Sequence, residues 1–386
     1  MSKLARLFTA LAMSIAIMLP SIFARADIMT SSEYVMIMDY DTGDVLYEKN
    51  ADQPMKPASM AKIMTVYILM EHLKRNDLTM SDAFIVSEKA WKKGGSRTFL
   101  EPGSKVKIAD LLRGIIVQSG NDAAIVVAEG LAGTEDAFAQ IMTQKAAELG
   151  MTNTVFGNST GWPDDVTTTT ARDLAILGRS IISEFPEYYP MFGESSFTYN
   201  KITQPNRNPL IYGVAGADGL KTGHTEESGY GLVGSAQRGD QRVVMVLNGM
   251  SSIKERKNEG IRMMDLTFRT YKKQTLINAG DILGYSSVWM GQRGVVPLTV
   301  DADISKVMDN AAAESVTKQM DWPSYILAPI TKGQELGRLT LTISGKDYYY
   351  PLVAAEDVVD LSFYRYPGAY IHYLIFGLEN KTVNNE

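Results

Sequence analysis

Residues 57–73 read PASMAKIMTVYILMEHL, and this stretch predicts a buried helix together with a candidate reactive pair. Pro57 closes the preceding loop, and apolar residues recur at three- and four-residue intervals from Ser59 to Leu73, with no Gly or Pro among them. The helix is therefore expected to have Ser59 at or near its N-terminus. Because Lys62 follows Ser59 by three positions, the hydroxyl and the amine share one helix face, where the amine can activate the serine as a nucleophile.

A Ser-x-x-Lys spacing is a weak signal by itself, because it occurs at four places in the chain. The other three pairs are Ser104–Lys107, Ser251–Lys254 and Ser315–Lys318. Ser59 is distinguished by its context, since its pair begins a helix inside an apolar stretch, where burial would lower the pKa of the lysine. Ser104 lies in a polar turn and Ser315 in a later β-rich region, so both are interpreted as surface residues.

The rest of the chain indicates an α+β domain followed by a smaller β domain. A β-hairpin is predicted from Tyr34 to Tyr47, and further helices at 108–118, 122–131, 135–149 and 171–182. Strands are predicted at 219–224, 230–236 and 242–248, and a helix at 259–271 closes this domain. After about Leu276, short β-like runs at 295–300, 334–343 and 347–352 indicate a separate small β domain.

Composition excludes several classes of function. The chain has no cysteine, which rules out disulfides, iron–sulfur clusters and thiol catalysis, and its formal charge of −6 offers no general attraction to nucleic acid. Its histidines, His72, His224 and His372, are far apart in sequence and lack metal-binding spacing, which leaves little for a metal site or a Ser-His-Asp triad. We therefore expect no metal, no cofactor and no nucleic-acid partner.

The N-terminus has the order of a secretory signal peptide. Basic residues precede an apolar run from Leu7 to Phe23, and Ala24-Arg25-Ala26 provides an A-x-A cleavage site. The alternative is an N-terminal membrane anchor, but the apolar run is short and interrupted by a proline. Residues 1–26 are therefore predicted to be a signal peptide of an exported protein whose mature chain starts at Asp27.

Two further motifs follow the serine–lysine pair. Ser119-Gly120-Asn121 is the only S-x-N in the chain, and its Ser and Asn could instead be helix caps. Lys221-Thr222-Gly223 is also unique, and its lysine could instead be an ordinary exposed residue of a strand. Taken alone, the first motif is better interpreted as a helix cap, and the second as part of an exposed strand. Together they follow the order of the active-serine set S-x-x-K, S-D-N and K-T-G, with gaps of 60 and 102 residues.

On these motifs the sequence resembles the low-molecular-mass penicillin-binding proteins of the D-alanyl-D-alanine carboxypeptidase type, in which the middle motif is commonly S-G-N. The segments 171–175, 206–208 and 218–230 resemble the same family, and the region after Leu276 resembles its accessory module. Trp162 departs from the family, which usually has a smaller apolar residue there. The C-terminal tail also departs, because it lacks the usual basic amphipathic character.

The resemblance implies a domain organisation. Residues 27–275 would form a penicillin-binding/β-lactamase-like catalytic domain of α/β (α+β) class, with an antiparallel sheet and a helical cluster. Residues 276–362 would form a small all-β domain, and residues 363–386 a tail. Within that tail, 367–378 (PGAYIHYLIFGL) is too short to span a bilayer but suits a segment lying on a membrane surface, with packing on the β domain as the alternative. The expected location is the periplasmic face of the cytoplasmic membrane, as a peripheral protein.

The resemblance also implies a role for each site residue. Ser59 would be the nucleophile that removes the terminal D-alanine from peptidoglycan stem peptides through an acyl-enzyme, and Lys62 would be its base, kept neutral by burial and by the charge of Lys221. Ser119 would relay a proton, and Asn121 would hydrogen-bond Lys62 and the substrate amide. The backbone N–H groups of Ser59 and His224 would form the oxyanion hole. The residues expected to bind substrate are Lys221, Thr222, Gly223, His224, Arg207 and Arg256, of which Arg256 could instead lie in a solvated charged turn.

Two rival functions use the same motifs. A class A-like β-lactamase needs a dedicated acid to activate the deacylating water, but the corresponding loop region offers only Asp164 and Asp165 and no glutamate. A non-catalytic penicillin-binding scaffold of the cell wall is disfavoured because the set of motif residues is complete. In the favoured interpretation the partners are the stem peptide as substrate and β-lactam antibiotics as covalent inhibitors.

Overall fold

The computed structural model describes residues 28–362 and, in the tail, residues 365, 367, 368 and 371. The predicted signal peptide lies outside the described residues, as does most of the apolar tail segment. Within the described part of the chain, no helix is both long enough and apolar enough to cross a membrane.

Residues 28–270 alternate between strands and helices. The strands of this region are β1 (Tyr34–Asp39), β2 (Val45–Lys49), β3 (Ala83–Ile85), β4 (Lys105–Lys107), β5 (Ser196–Tyr199), β6 (Ile202–Pro205), β7 (Ala217–Thr225), β8 (Gly229–Arg238) and β9 (Gln241–Met250). Its α-helices are α1 (Lys62–Lys74), α2 (Glu88–Lys92), α3 (Ile108–Ile116), α4 (Asn121–Ala132), α5 (Glu135–Glu148), α6 (Ala171–Glu184), α7 (Leu210–Gly213) and α8 (Ile253–Thr270). Two 3-10 turns complete it, Ala58–Ala61 and Tyr189–Gly193.

A five-stranded antiparallel sheet of order β2-β1-β9-β8-β7 forms the scaffold. Helix α6 packs on one face, where Gly178 lies close to Val233 and Val244, and α8 packs on the other, where Gly260 lies close to Leu232. Helix α1 is buried on nearly all sides, which explains why its sequence is apolar throughout rather than amphipathic. Strand β7 is an edge strand of this sheet, and the 3-10 turn that contains Ser59 packs against it.

Helix α8 begins six residues before the predicted start at Glu259. The Ser252 hydroxyl caps it by accepting a hydrogen bond from the backbone N–H of Glu255, the S-x-x-E pattern of a capping box. The alternative interpretation of Arg256 as part of a solvated charged turn is therefore wrong, because Arg256 lies on the first turns of α8 and is buried.

The C-terminal region is β-rich. Its elements are β10 (Lys272–Ile277), β11 (Gly284–Trp289), β12 (Val295–Thr299), β13 (Ile304–Met308), α9 (Asn310–Glu314), β14 (Thr317–Asp321), β15 (Tyr325–Leu327), β16 (Glu335–Ile343) and β17 (Lys346–Ala354). Strands β10 and β13 pair, and the others form a six-stranded sheet of order β14-β16-β17-β12-β11-β15, in which only the β11–β15 pair is parallel. The predicted α+β fold with a β-rich C-terminal region is confirmed.

One partly buried carboxylate joins the two regions, which belong to a single compact unit beginning at Ser32. Asp44, in the β1–β2 hairpin, accepts hydrogen bonds from Lys306 Nζ at 2.7 Å, Lys346 Nζ at 3.1 Å and the Tyr348 hydroxyl at 3.0 Å. Burial alone would raise the pKa of Asp44, but the hydrogen bonds from the two lysines outweigh it and lower the pKa to about 2. The carboxylate therefore stays ionised at neutral pH and keeps this contact charged.

Candidate active site

Ser59 and Lys62 are in direct contact. Ser59 lies in the 3-10 turn, and Lys62 is the first residue of α1 and is fully buried. The Lys62 Nζ lies 2.8 Å from the Ser59 Oγ and donates to the carbonyl oxygen of Thr160 at 2.7 Å. Burial, and next the positive charge of Arg207, lower the pKa of Lys62 to about 7. A large fraction of Lys62 is therefore neutral near neutral pH, as a base for Ser59 requires.

The loop that carries Thr160 packs directly on the turn before Ser59. Gly161 has a φ of +69°, and a Cβ there would lie 1.8 Å from the carbonyl oxygen of Ala58, so only glycine fits. The Asn158 Oδ1 accepts hydrogen bonds from the backbone N–H of Thr160 at 3.0 Å and from its hydroxyl at 2.7 Å. These contacts hold the Thr160 carbonyl in place for Lys62.

Ser119 and Asn121 are both buried, and neither is a helix cap. Ser119 has a φ of +60° and is 2% exposed, whereas the N-cap of α4 is Gly120, which has no side chain to cap with. The Asn121 Nδ2 donates to the carbonyl oxygen of Gly94 at 2.8 Å. This partner differs from the expected one, Lys62, because the loop after α2 folds back onto the start of α4.

Asp122 anchors that loop and was not among the predicted site residues. Its buried carboxylate accepts hydrogen bonds from the backbone N–H groups of Thr98 at 2.8 Å, Phe99 at 2.9 Å and Leu100 at 3.2 Å. A Cβ at Gly120 would lie 2.2 Å from the Thr98 Oγ1, so the middle position of the S-x-N motif has to be small. An acidic residue in the first turn of a helix is the only sequence signal that could have pointed to this role.

The Lys-Thr-Gly motif lies on edge strand β7 against the Ser59 turn. Lys221 is 3% exposed and Thr222 is 5% exposed, so the interpretation of Lys221 as an ordinary exposed strand residue is wrong. A Cβ at Gly223 would lie 2.8 Å from the carbonyl oxygen of Pro57, which explains the glycine. Burial, and next the charge of Lys62, lower the pKa of Lys221 well below its ordinary value.

The two arginines expected to bind the substrate carboxylate, Arg256 and Arg207, differ in burial. Arg256 is 8% exposed, its Nη1 donates to the Gly223 carbonyl at 3.4 Å, and its Nε has no hydrogen-bond partner within the described structure. Burial lowers the pKa of Arg256 to about 10. Arg207 is exposed and donates to the Ser96 hydroxyl. Both guanidinium groups contribute to the lowered pKa of Lys221, so the three basic side chains are near enough to interact electrostatically.

Tyr230 contacts both His224 and Arg256, and it was not among the predicted site residues. Its ring stacks on His224 with 3.7 Å between ring centroids and an interplanar angle of 6°. The Arg256 guanidinium lies over the same Tyr230 ring, 5.8 Å from its centroid. His224 is exposed and its Nδ1 contacts the Gly229 carbonyl at 3.1 Å, so its side chain is held by β8 rather than by the other site residues.

Comparison with known proteins shows the family of this chain. The family model described as D-alanyl-D-alanine carboxypeptidase matches residues 22–252, and the model for the penicillin-binding protein 5 C-terminal domain matches residues 271–360. This chain belongs to the D-alanyl-D-alanine carboxypeptidase family. The family predicted from the motifs is thereby confirmed.

Relatives match this carboxypeptidase over most of its length. The D-alanyl-D-alanine carboxypeptidase DacC of Escherichia coli is 36% identical, over 92% of this chain and 89% of the relative. The crystal structure of penicillin binding protein 5 from Haemophilus influenzae is 33% identical with a TM-score of 0.74, covering 86% of this chain and 98% of that one. Penicillin-binding protein D2 from Listeria monocytogenes, solved in an ampicillin-bound form, is 27% identical with a TM-score of 0.57, covering 62% of this chain and 98% of that one.

The other three Ser-x-x-Lys pairs of the carboxypeptidase are not assembled. The Ser104 hydroxyl donates to the Glu101 carbonyl at 2.6 Å, and the Ser315 hydroxyl donates to the Ala312 carbonyl at 2.8 Å. The Ser251 hydroxyl donates to the Glu255 carboxylate. In each case the serine bonds to a neighbour on its own segment instead of to the lysine three positions later.

Asp164, one of the two aspartates that this loop offers to a β-lactamase-like mechanism, is engaged within its own loop. Its carboxylate accepts hydrogen bonds from the backbone N–H of Val166 at 2.8 Å, from the Thr167 hydroxyl at 2.7 Å and from the Asn158 amide. The carboxylate thus shapes the loop, and its acceptor positions are occupied. Among the described residues, no group of three or more His, Asp or Glu side chains is arranged to hold a metal ion.

Proposed function

We propose that this serine-type D-alanyl-D-alanine carboxypeptidase uses Ser59 to remove the terminal D-alanine from peptidoglycan stem pentapeptides. The observation that carries the proposal is the 2.8 Å contact between the Ser59 Oγ and the Nζ of a fully buried lysine. The Ser59 oxygen attacks the carbonyl carbon of the penultimate D-alanine, and the C–N bond to the terminal D-alanine breaks. Water then hydrolyses the ester on Ser59, which releases the shortened peptide and restores the hydroxyl.

Lys62 takes the proton from Ser59, because its lowered pKa leaves a neutral amine at neutral pH. Ser119 passes a proton to the departing amine of D-alanine. Asn121, held by the Gly94 carbonyl, presents its amide to the substrate. The backbone N–H groups of Ser59 and His224 stabilise the oxyanion, so the His224 side chain takes no part in the chemistry.

The terminal carboxylate of the substrate binds among Lys221, Thr222, Arg207 and Arg256, while Gly223 allows this strand to pack closely against the turn that carries Ser59. Arg256 supports this assignment, because a buried guanidinium with an unpartnered Nε is costly until an anion supplies the missing acceptor. Burial also makes each hydrogen bond to the carboxylate stronger than it would be in water. A substrate without a free C-terminal carboxylate is therefore expected to be processed poorly.

β-Lactams are the expected covalent inhibitors, since they carry an acyl group and a carboxylate that suit the same residues. The ampicillin-bound relative from Listeria monocytogenes supports this expectation. The engaged Asp164 argues against a class A-like β-lactamase, and the complete set of catalytic side chains argues against a non-catalytic scaffold. Both remain outcomes that turnover assays with a D-Ala-D-Ala peptide and with penicillin distinguish.

The proposal includes a location and a domain plan. Residues 1–26 direct export and are removed, residues 27–275 carry the chemistry, and residues 276–362 form the β domain. The tail, residues 363–386, attaches the protein peripherally to the periplasmic face of the cytoplasmic membrane. Export is required because the substrate lies in the cell wall.

A fluorescent penicillin tests the central claim. We expect covalent labelling of the wild-type protein and none of Ser59→Ala, while Ser104→Ala, Ser251→Ala and Ser315→Ala are labelled normally. D-Alanine release from a soluble peptide is expected to be unchanged by excess EDTA. Labelling that survives Ser59→Ala contradicts the proposal, and so does a requirement for metal.

A further inference from the structure

Two irregular loops hold the catalytic side chains through backbone carbonyls. The Gly94 carbonyl, in the loop after α2, accepts a hydrogen bond from Asn121 Nδ2 at 2.8 Å. The Thr160 carbonyl, in the loop before α6, accepts one from Lys62 Nζ at 2.7 Å. Neither carbonyl belongs to a helix or strand, so regular backbone hydrogen bonding does not fix its position.

A side-chain contact bridges these two loops. The Lys93 Nζ, directly before Gly94, lies 4.4 Å from the centroid of the Trp162 ring, two residues after Thr160. A Cβ built on Gly95 would lie 2.9 Å both from Asn121 Nδ2 and from a carbon of the Trp162 ring. The indole and the catalytic amide thus pack against the same glycine, and the ammonium covers the indole.

We infer that the contact between Lys93 and Trp162, called the latch below, fixes the Gly94 and Thr160 carbonyls relative to each other. It thereby positions Asn121 and Lys62 for acylation of Ser59. The inference rests on the proposed function and deepens it. Both latch residues are positioning residues, because they act through the two loops.

The size of the effect follows from the contact. Lys93 is half-buried and Trp162 is 42% exposed, so the cation–π attraction is stronger than at an open surface but is not fully shielded from water. An attraction of this kind corresponds to about a three- to tenfold change in a rate that depends on it. Complete loss of activity is not expected, since the hydrogen bonds of Asn121 and Lys62 persist without the latch.

A double-mutant cycle on the mature protein tests the latch, with the acylation rate constant for a fluorescent penicillin as the readout. The variants are Trp162→Leu, Lys93→Met and the double variant, with Trp162→Phe and Lys93→Arg as conservative replacements. Each variant is measured over a full pH profile, so that the effect of the Lys93 charge on the pKa of Lys62 appears as a shift of the profile, whereas a loss of positioning lowers its plateau. Trp91→Leu and Lys92→Met are matched controls, because Trp91 is 41% exposed and Lys92 pairs only with Glu88 in the described structure.

We expect Trp162→Leu and Lys93→Met each to lower acylation about three- to tenfold, and the double variant to lose little more than either single one. Trp162→Phe and Lys93→Arg should stay near wild type, as should both controls. Should Trp162→Leu fail to fold, the comparison of Lys93→Met with Lys93→Arg decides the matter.

Independent effects that multiply in the double variant would overturn the latch. A loss seen only with long stem peptides and absent with penicillin would also overturn it, because Trp162 would then contact substrate directly. Failure of the proposed function looks different, since the wild-type protein would then not be labelled at Ser59.

Discussion

The pH dependence of acylation gives the most direct test of the proposed mechanism, because it depends on the protonation of one buried group. Lys62 has a pKa of about 7, against an ordinary value of 10.5. With that pKa, about half of the lysine is neutral at pH 7, about one tenth at pH 6 and about one hundredth at pH 5. Acylation should therefore fall about fivefold from pH 7 to pH 6 and about tenfold for each pH unit below 6, and it should level off above pH 8.

The lowered pKa of Lys62 determines whether acylation is lost on the acid or the alkaline side of neutral pH. Burial disfavours the charged ammonium, and the positive charges of Arg207 and Lys93 add to this effect, while Asp122 and Glu135 oppose it. The active form is the neutral amine, so activity is present above the lowered pKa and lost as the pH falls through it. An unperturbed lysine would instead give a rate that keeps rising up to about pH 10.

The assay is the second-order rate constant for fluorescent penicillin, measured from pH 5 to pH 10 with circular dichroism to confirm folding at each pH. Lys62→Arg should lower this constant about 10²- to 10⁴-fold at pH 8, because arginine keeps its proton throughout this range. Lys107→Arg, which alters the exposed lysine of another Ser-x-x-Lys pair, should have no effect. An active Lys62→Arg enzyme, or a rate that still climbs tenfold per unit above pH 9, would refute the assignment of Lys62 as the base.

Three further predictions follow from the structure. Gly161→Ala should lower penicillin acylation at least about tenfold and cost about 1–3 kcal/mol of stability, because its Cβ would meet a backbone carbonyl at 1.8 Å; Gly150→Ala, which has a similar positive φ but open space around it, should leave acylation unchanged. Tyr230→Leu should raise KM for a D-Ala-D-Ala peptide about three- to tenfold by removing the ring beneath Arg256, whereas Tyr230→Phe should bind normally. Truncation after Ser362 should move the mature protein from the membrane pellet to the soluble fraction without changing D-alanine release; a full-length protein that is already soluble, or a truncated one that unfolds, would contradict the membrane role of the tail.

Much of the candidate site could be predicted from the sequence, because its central residues lie in short local motifs. The spacing of Ser59 and Lys62 reflects the geometry of a single helical turn, so no tertiary information was needed to pair them. Most predicted helices and strands appear at nearly the predicted positions for a similar reason, since their signals are local. Helix α8 starts earlier than predicted, because the prediction used only the spacing of apolar residues. The polar residues Ser252 and Glu255 set its N-terminus, and that spacing does not detect them.

The sequence by itself therefore determined the reactive pair, the order of the three motifs and the α+β class. Only the tertiary structure decided that Lys221 and Arg256 are buried, since each lies in a polar segment whose local pattern favours exposure. It also decided the contacts that hold the site together, from the Thr160 carbonyl at Lys62 to the Trp162 ring at Lys93. These contacts join segments about 70 to 100 residues apart, and the physical reason that they escape prediction is that chain folding, rather than any local spacing, brings such segments together.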